Sequence, residues 1–123
     1  MVHESDTAKY YLMRHIQLKT SIKGGSARTQ KLNLALTQKV GGCIIWIERE
    51  ECPDSQQFKL EYLFYGSKAN ERFVIDHDLK VAKSTKANAK GFKSERKNIR
   101  VVPKSKFTKV SDMRHLMHLL FDL

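Results

Sequence analysis

The chain is poor in the residues that staple or break structure, with two cysteines, two prolines and six glycines in 123 residues. Cys43 and Cys52 lack CxxC spacing, and a secreted chain this small usually carries more cysteines. Reduced thiols in a cytoplasmic protein are therefore expected. No apolar run approaches the roughly 18 residues a membrane helix needs, which excludes a spanning protein. The first residues, Met1 to Asp6, are polar and acidic, unlike the basic-then-apolar start of a secretory signal. No internal repeat, low-complexity tract or linker interrupts the chain, and its length leaves no room for a second core. Residues 1–123 read as one domain. Its 41% hydrophobic content excludes a disordered chain.

What the sequence does hold is positive charge, formally +10. That charge is concentrated. Between Lys80 and Lys109 lie eleven Lys/Arg residues and one acid, Glu95, so the other 12 basic and 12 acidic residues cancel. A cationic segment of this density favours a polyanion, because each phosphate contact releases condensed counterions. DNA or RNA is the expected partner, through Lys83, Lys86, Lys90, Lys93, Arg96, Lys97 and Arg100. A membrane surface is not, since the segment lacks the apolar face of an interfacial helix. The bland alternative is a solvated loop that keeps the protein soluble. Phe92, among the lysines, is a lone candidate for base stacking.

The hydrophobic pattern predicts a strand over 7–20 and a turn at SIKGG. A helix over 28–39 follows, with Leu32, Ala35, Leu36 and Val40 at helical spacing, stopped by Gly41-Gly42. GCIIWI (42–47) reads as a strand buried on both faces. Further strands are predicted at 58–65, 72–75, 79–81 and 99–102, then a helix over 112–121 capped by Ser111. The strand-helix-strand unit at 14–47 has about the minimum crossover length, which predicts a parallel pair with the helix on one sheet face. The fold class is α/β: a mixed sheet with a parallel core, added antiparallel strands and a C-terminal helix.

His15-Ile16-Gln17-Leu18-Lys19 is the best candidate for chemistry. On a strand Gln17 and Lys19 share one face, with Ile16 and Leu18 on the opposite, apolar one. With the helix and the apolar strand that follow, these residues resemble the PD-(D/E)XK nuclease superfamily, in the Mrr-type variant where Gln replaces the acid. The resemblance covers about a third of the chain and implies a restriction-endonuclease-like core. It also implies a metal-dependent DNA endonuclease using Mg²⁺ or Mn²⁺, with Gln17 in the metal shell and Lys19 as the catalytic cation. Phosphodiester hydrolysis needs such a Lewis acid, a positioned water and charge neutralisation. The superfamily also takes an aspartate from the preceding strand, and Asp6 is the candidate metal ligand. A straight strand over 7–20 leaves Asp6 about 35 Å from Gln17, so the chain must turn back near Leu12–Arg14. Otherwise the acid comes from a second subunit of a homodimer, or from residues upstream of a truncated chain. A degenerate, non-catalytic nucleic-acid-binding module on the same scaffold is the alternative.

Weaker signals have plainer explanations. KGGSART (23–29) resembles an anion loop before a helix but lacks a P-loop ending, so it reads as a connector. His115 and His118 sit one helical turn apart without a third ligand. Glu48 and Glu50 share a face and read as a solvated strand end, and Cys43 as a buried core thiol.

Overall fold

The computed structural model describes residues 2–4, 11–39, 42–52, 57–69, 71, 73–83, 91 and 94–122. The strand predicted over 7–20 is divided. Val2–Glu4 (β1) and Tyr11–Met13 (β2) pair antiparallel, with Val2 opposite Met13. Arg14 and His15 then lie outside any strand before Ile16–Ile22 (β3) begins. Asp6 lies outside the described residues.

The predicted helix over 28–39 is instead a strand, Thr29–Asn33 (β4), followed by a short helix, Leu34–Lys39 (α1). Helical spacing at Leu32 and Ala35 loses here to pairing with a distant strand, which satisfies the backbone and buries Leu32 completely. KGGSART therefore leads into a strand, not a helix N-terminus. After α1 come Cys43–Cys52 (β5) and Gln57–Gly66 (β6). Lys80–Lys83 (β7) and Glu95–Pro103 (β8) follow. A single 3-10 turn at Lys104–Lys106 leads to Thr108–Val110 (β9), and Met113–Phe121 (α2) ends the fold. Of the strand predicted at 72–75, residues 73–75 are irregular and residue 72 lies outside the described residues.

Besides the β1–β2 pair, two larger sheets and the helix α2 make the layers of the described fold. The four-stranded sheet runs β3-β5-β6-β9, and the three-stranded one β4-β8-β7. As predicted, β3 and β5 are parallel neighbours, Gln17 facing Ile44 and Lys19 facing Trp46; the other pairs of this sheet are antiparallel. The crossover between them contributes β4 to the second sheet, which the sequence pattern did not predict. The fold is thus α/β with a mixed sheet, an antiparallel sheet and a C-terminal helix.

The central strand β5 explains its own apolar run. Ile44 and Trp46 face the second sheet and pack with Leu32, Leu63, Tyr65, Leu79, Val102 and Phe107. Cys43 and Ile45 face the other way and pack with Phe64, Val110 and the buried side of α2. Alternating side chains make both faces of β5 interior. Cover by α2 stops short on that second face, so Leu18 and Ile22 are each 61% exposed and Leu60 47%. Leu18 is therefore not the core residue that its strand alternation suggests.

The cap of α2 is Asp112 rather than Ser111: its carboxylate accepts from His115 N–H at 2.8 Å. At the other end of α2 the buried Arg14 guanidinium donates to the Leu119 and Leu120 carbonyls at 3.1 and 3.3 Å. It also donates to the Ser67 carbonyl and hydroxyl. The chain reaches Gly66 with φ of 140°, where an added Cβ would lie 2.7 Å from Cys43 Cα and Cβ and from the Gly42 carbonyl oxygen. Only glycine fits that approach.

Candidate nucleic-acid interface and the Gln17–Lys19 strand

Alternation along β3 turns Gln17, Lys19 and Ser21 toward the second sheet. Gln17 is held there by the β4–α1 junction. Its Oε1 accepts the Asn33 N–H at 2.9 Å and its Nε2 donates to Thr37 Oγ1 at 2.9 Å. The Thr37 hydroxyl in turn donates to the Asn33 carbonyl at 2.6 Å. The amide thus acts as a substitute strand partner where β4 stops and α1 begins. A carboxylate would accept from Asn33 but would have no donor for Thr37, so this junction selects Gln over Glu.

Lys19 is half-buried one step along the same face, and its ammonium has no hydrogen-bond or ion-pair partner among the described residues. Trp46, its register partner, donates its indole N–H to Ser21 Oγ at 2.7 Å. Gln17 and Lys19 are therefore brought to one face, as predicted. Both polar atoms of Gln17 are engaged in hydrogen bonds, and Asp6, the other expected metal ligand, lies outside the described residues. The described residues alone include no group of three or more His, Cys, Asp or Glu that could hold a metal ion.

The acids further along this face answer to lysines. Glu48 is buried opposite Glu61 across β5 and β6, a like-charge pair that is unfavourable by itself. Lys104 stands 2.8 Å from the Glu48 carboxylate and 5.5 Å from the Trp46 ring centroid. Lys23 bridges Glu61 at 2.8 Å and Glu50 at 3.5 Å. Its hydrogen bond holds the Glu61 carboxyl below its ordinary value and raises the Lys23 ammonium. These glutamates are part of an ion-pair network, not a loosely solvated strand end. His115 and His118 do not converge on a metal either, since His115 Nδ1 accepts the Ser111 N–H at 3.2 Å and His118 lies 3.5 Å from Asp122.

The basic segment divides by role. Lys104 and Lys109 pair with glutamates, and Lys106 with Asp76 and Asp78. The hydrogen bond to Asp78 raises the Lys106 ammonium and holds the Asp78 carboxyl down. Arg100 is half-buried, its Nη1 donating to the Lys97 carbonyl at 2.5 Å beside an irregularity in the β7–β8 register. That guanidinium braces the strand. Lys83, Arg96 and Lys97 are exposed on β7 and β8 and form no ion pair with a described residue. Lys86, Lys90 and Lys93, like Phe92, lie outside the described residues.

Two cations not singled out from sequence join the exposed set. Lys31 of β4 and Lys80 of β7 are both exposed, and both pair in register with Val101 of β8. Lys31 went unnoticed because its segment reads as helix; the signal lay in its position beside the inward Leu32. No family model, no curated protein and no solved structure matches the chain.

Proposed function

We propose that this domain binds nucleic acid through the β4-β8-β7 sheet and the basic segment that builds it. The observation that carries this reading is the set of exposed cations Lys83, Arg96 and Lys97 on two strands of one sheet, with no ion-pair partner among the described residues. The fold meets its own needs with other lysines, Lys23, Lys104 and Lys106. Cations left over after internal pairing are available for phosphates. Among the described residues no helix is long and apolar enough to cross a membrane. Cytoplasmic placement belongs to the same proposal, supported by the free, buried thiol of Cys43.

The test is a salt titration. Affinity for a labelled oligonucleotide should fall steeply between about 50 and 200 mM salt. Charge reversal at Lys83, Arg96 and Lys97 should weaken binding alike for every sequence, because phosphate contacts carry no sequence information. Salt-independent binding would overturn the reading.

A second reading, metal-dependent phosphodiester hydrolysis by a restriction-endonuclease-like domain, is favoured by the parallel β3–β5 pair and by Lys19, which has no partner among the described residues. It depends on carboxylates beyond the described set, Asp6 or an acid from a second copy in a homodimer. Cleavage assays with Mg²⁺ and Mn²⁺ decide it: Lys19→Ala should abolish cleavage and leave binding nearly intact. Asp6→Asn separates an acid from this chain from one supplied by another. Wild-type protein that cleaves neither DNA nor RNA with either metal leaves the binding module alone standing.

A further inference from the structure

The three-stranded sheet has an inner and an outer face, and the register shows what occupies each. Leu32 and Val102 are fully buried and point to the core. Alternation therefore turns Lys31, Val101 and Pro103 outward. Lys31 and Lys80 both sit opposite Val101, one on either side, so the three form a row across the sheet. Two strand spacings separate the lysine backbones, about 10 Å. Along β8, Ile99, Val101 and Pro103 form a half-buried apolar strip, paired with Asn33, Lys31 and Thr29. Beside it a depression of about 220 Å³ is lined by Leu79, Lys80, Val101 and Pro103 among others. Neither Lys31 nor Lys80 has an ion-pair partner among the described residues.

We infer that this outward face is a platform for single-stranded nucleic acid, with Lys31 and Lys80 holding phosphates on either side of the Ile99–Val101–Pro103 strip. The inference rests on the nucleic-acid reading above and specifies which form is bound. Width argues against a duplex, because the major groove admits a helix or a two-stranded ribbon, and this sheet has three strands. An apolar strip also gains nothing from a duplex's phosphate ridges. An unpaired strand exposes apolar base faces whose contact with the strip removes apolar surface from water, while flanking cations neutralise its backbone. The contacts are aliphatic and carry no hydrogen-bond readout, so binding is sequence-tolerant.

The experiment measures anisotropy of one labelled oligonucleotide, single-stranded and annealed to its complement, across a salt series. The single strand should bind more tightly than the duplex. Lys31→Ala with Lys80→Ala should make the single-strand salt slope shallower by about 1.4, at about 0.7 per phosphate contact. Arginine at both positions should restore it. Val101→Thr, nearly isosteric, should lower single-strand affinity without changing the slope, and Lys59→Ala on β6 should change neither. Equal or tighter duplex binding, or an unchanged slope in the double alanine variant, overturns this inference and leaves the general nucleic-acid reading intact. Wild-type protein that binds neither form overturns both.

Discussion

Replacing Arg14 by methionine should cost this fold more than removing a surface charge ever does, and the structure allows the loss to be counted. The guanidinium is 7% exposed and stands 6.0 Å from the Phe64 ring centroid. Burial lowers its affinity for the proton below the ordinary value, opposed by nearby Cys43. Its donors reach the carbonyls of Leu119, Leu120 and Ser67. The last carbonyls of a helix have no partner within it. Leu119 keeps a second donor, Ala69 N–H at 2.8 Å, so methionine deprives chiefly Leu120 and Ser67. Each orphaned buried carbonyl costs about 1–3 kcal/mol. Some of that returns because the variant no longer desolvates a charge. Methionine also fills the volume of the arginine stem, which limits any cavity. The balance is about 3 kcal/mol of destabilisation. At roughly 4 °C per kcal/mol for a chain of this size, the midpoint should fall by roughly 12 °C. Urea unfolding at neutral pH measures the free energy and a thermal melt the midpoint, both followed by far-UV circular dichroism. Arg14→Lys should recover only part, because one ammonium cannot serve α2 and Ser67 together. An Arg14→Met variant within about 0.5 kcal/mol of wild type, the range of ordinary surface changes, would refute this account.

Gly66→Ala should cost about 3 kcal/mol or more through its 2.7 Å clashes with Cys43. Gly24→Ala, with φ of 80° and no atom within 4 Å, should cost only about 1–2 kcal/mol in the same unfolding assay. Gln17→Glu should lose about 1–3 kcal/mol at neutral pH by removing the donor to Thr37. A protonated glutamate restores that donor, so the deficit should shrink as pH falls in acid-range unfolding curves. Burial pushes the Cys43 thiol up to about 11 from 9.0. Its contribution to stability is accordingly present below pH 9 and lost as pH rises toward 11. In a Cys52→Ser background, thiol labelling at pH 8 should proceed only as fast as global unfolding.

The parts legible in sequence were those whose pattern and partner are local. The apolar run 42–47 identified a strand covered on both faces, of which 43–46 are buried, and the short crossover predicted its parallel neighbour, which is present. The alternation Gln17-Leu18-Lys19 placed Gln17 and Lys19 on one face. What fills that face was not legible, because Asn33 and Thr37 come from a segment with helical spacing that becomes half strand. Strand β4 exists only through pairing with β8, some 70 residues later. Arg14 was illegible for the same reason. Its partners lie 53, 105 and 106 residues away, and arginine is ordinarily a surface residue. The charge excess was visible, but not which cations the protein uses for itself. Only the positions of Asp76, Asp78, Glu48 and Glu61 show that Lys104, Lys106 and Lys109 are engaged.

Strand β4 ties the two proposed activities together and also separates them. Its Asn33 backbone holds Gln17 on one side, while Lys31, two residues earlier, faces outward on the other. A nucleic acid resting on the outer platform is divided from the Lys19 face by one sheet layer, about 10 Å between packed sheets. A phosphate held by Lys31 and Lys80 therefore cannot be the one that Lys19 would meet. Any hydrolysis at Lys19 requires the strand to leave the platform and pass around the edge where β4 ends against Gln17 of β3. The two sets of variants should then separate. Loss of Lys31 and Lys80 should weaken capture without altering the rate constant of a saturated reaction, whereas loss of Lys19 should do the reverse. If both sets change the same quantity, the platform and the Lys19 face act on one phosphate, and the placement of β4 between them is wrong.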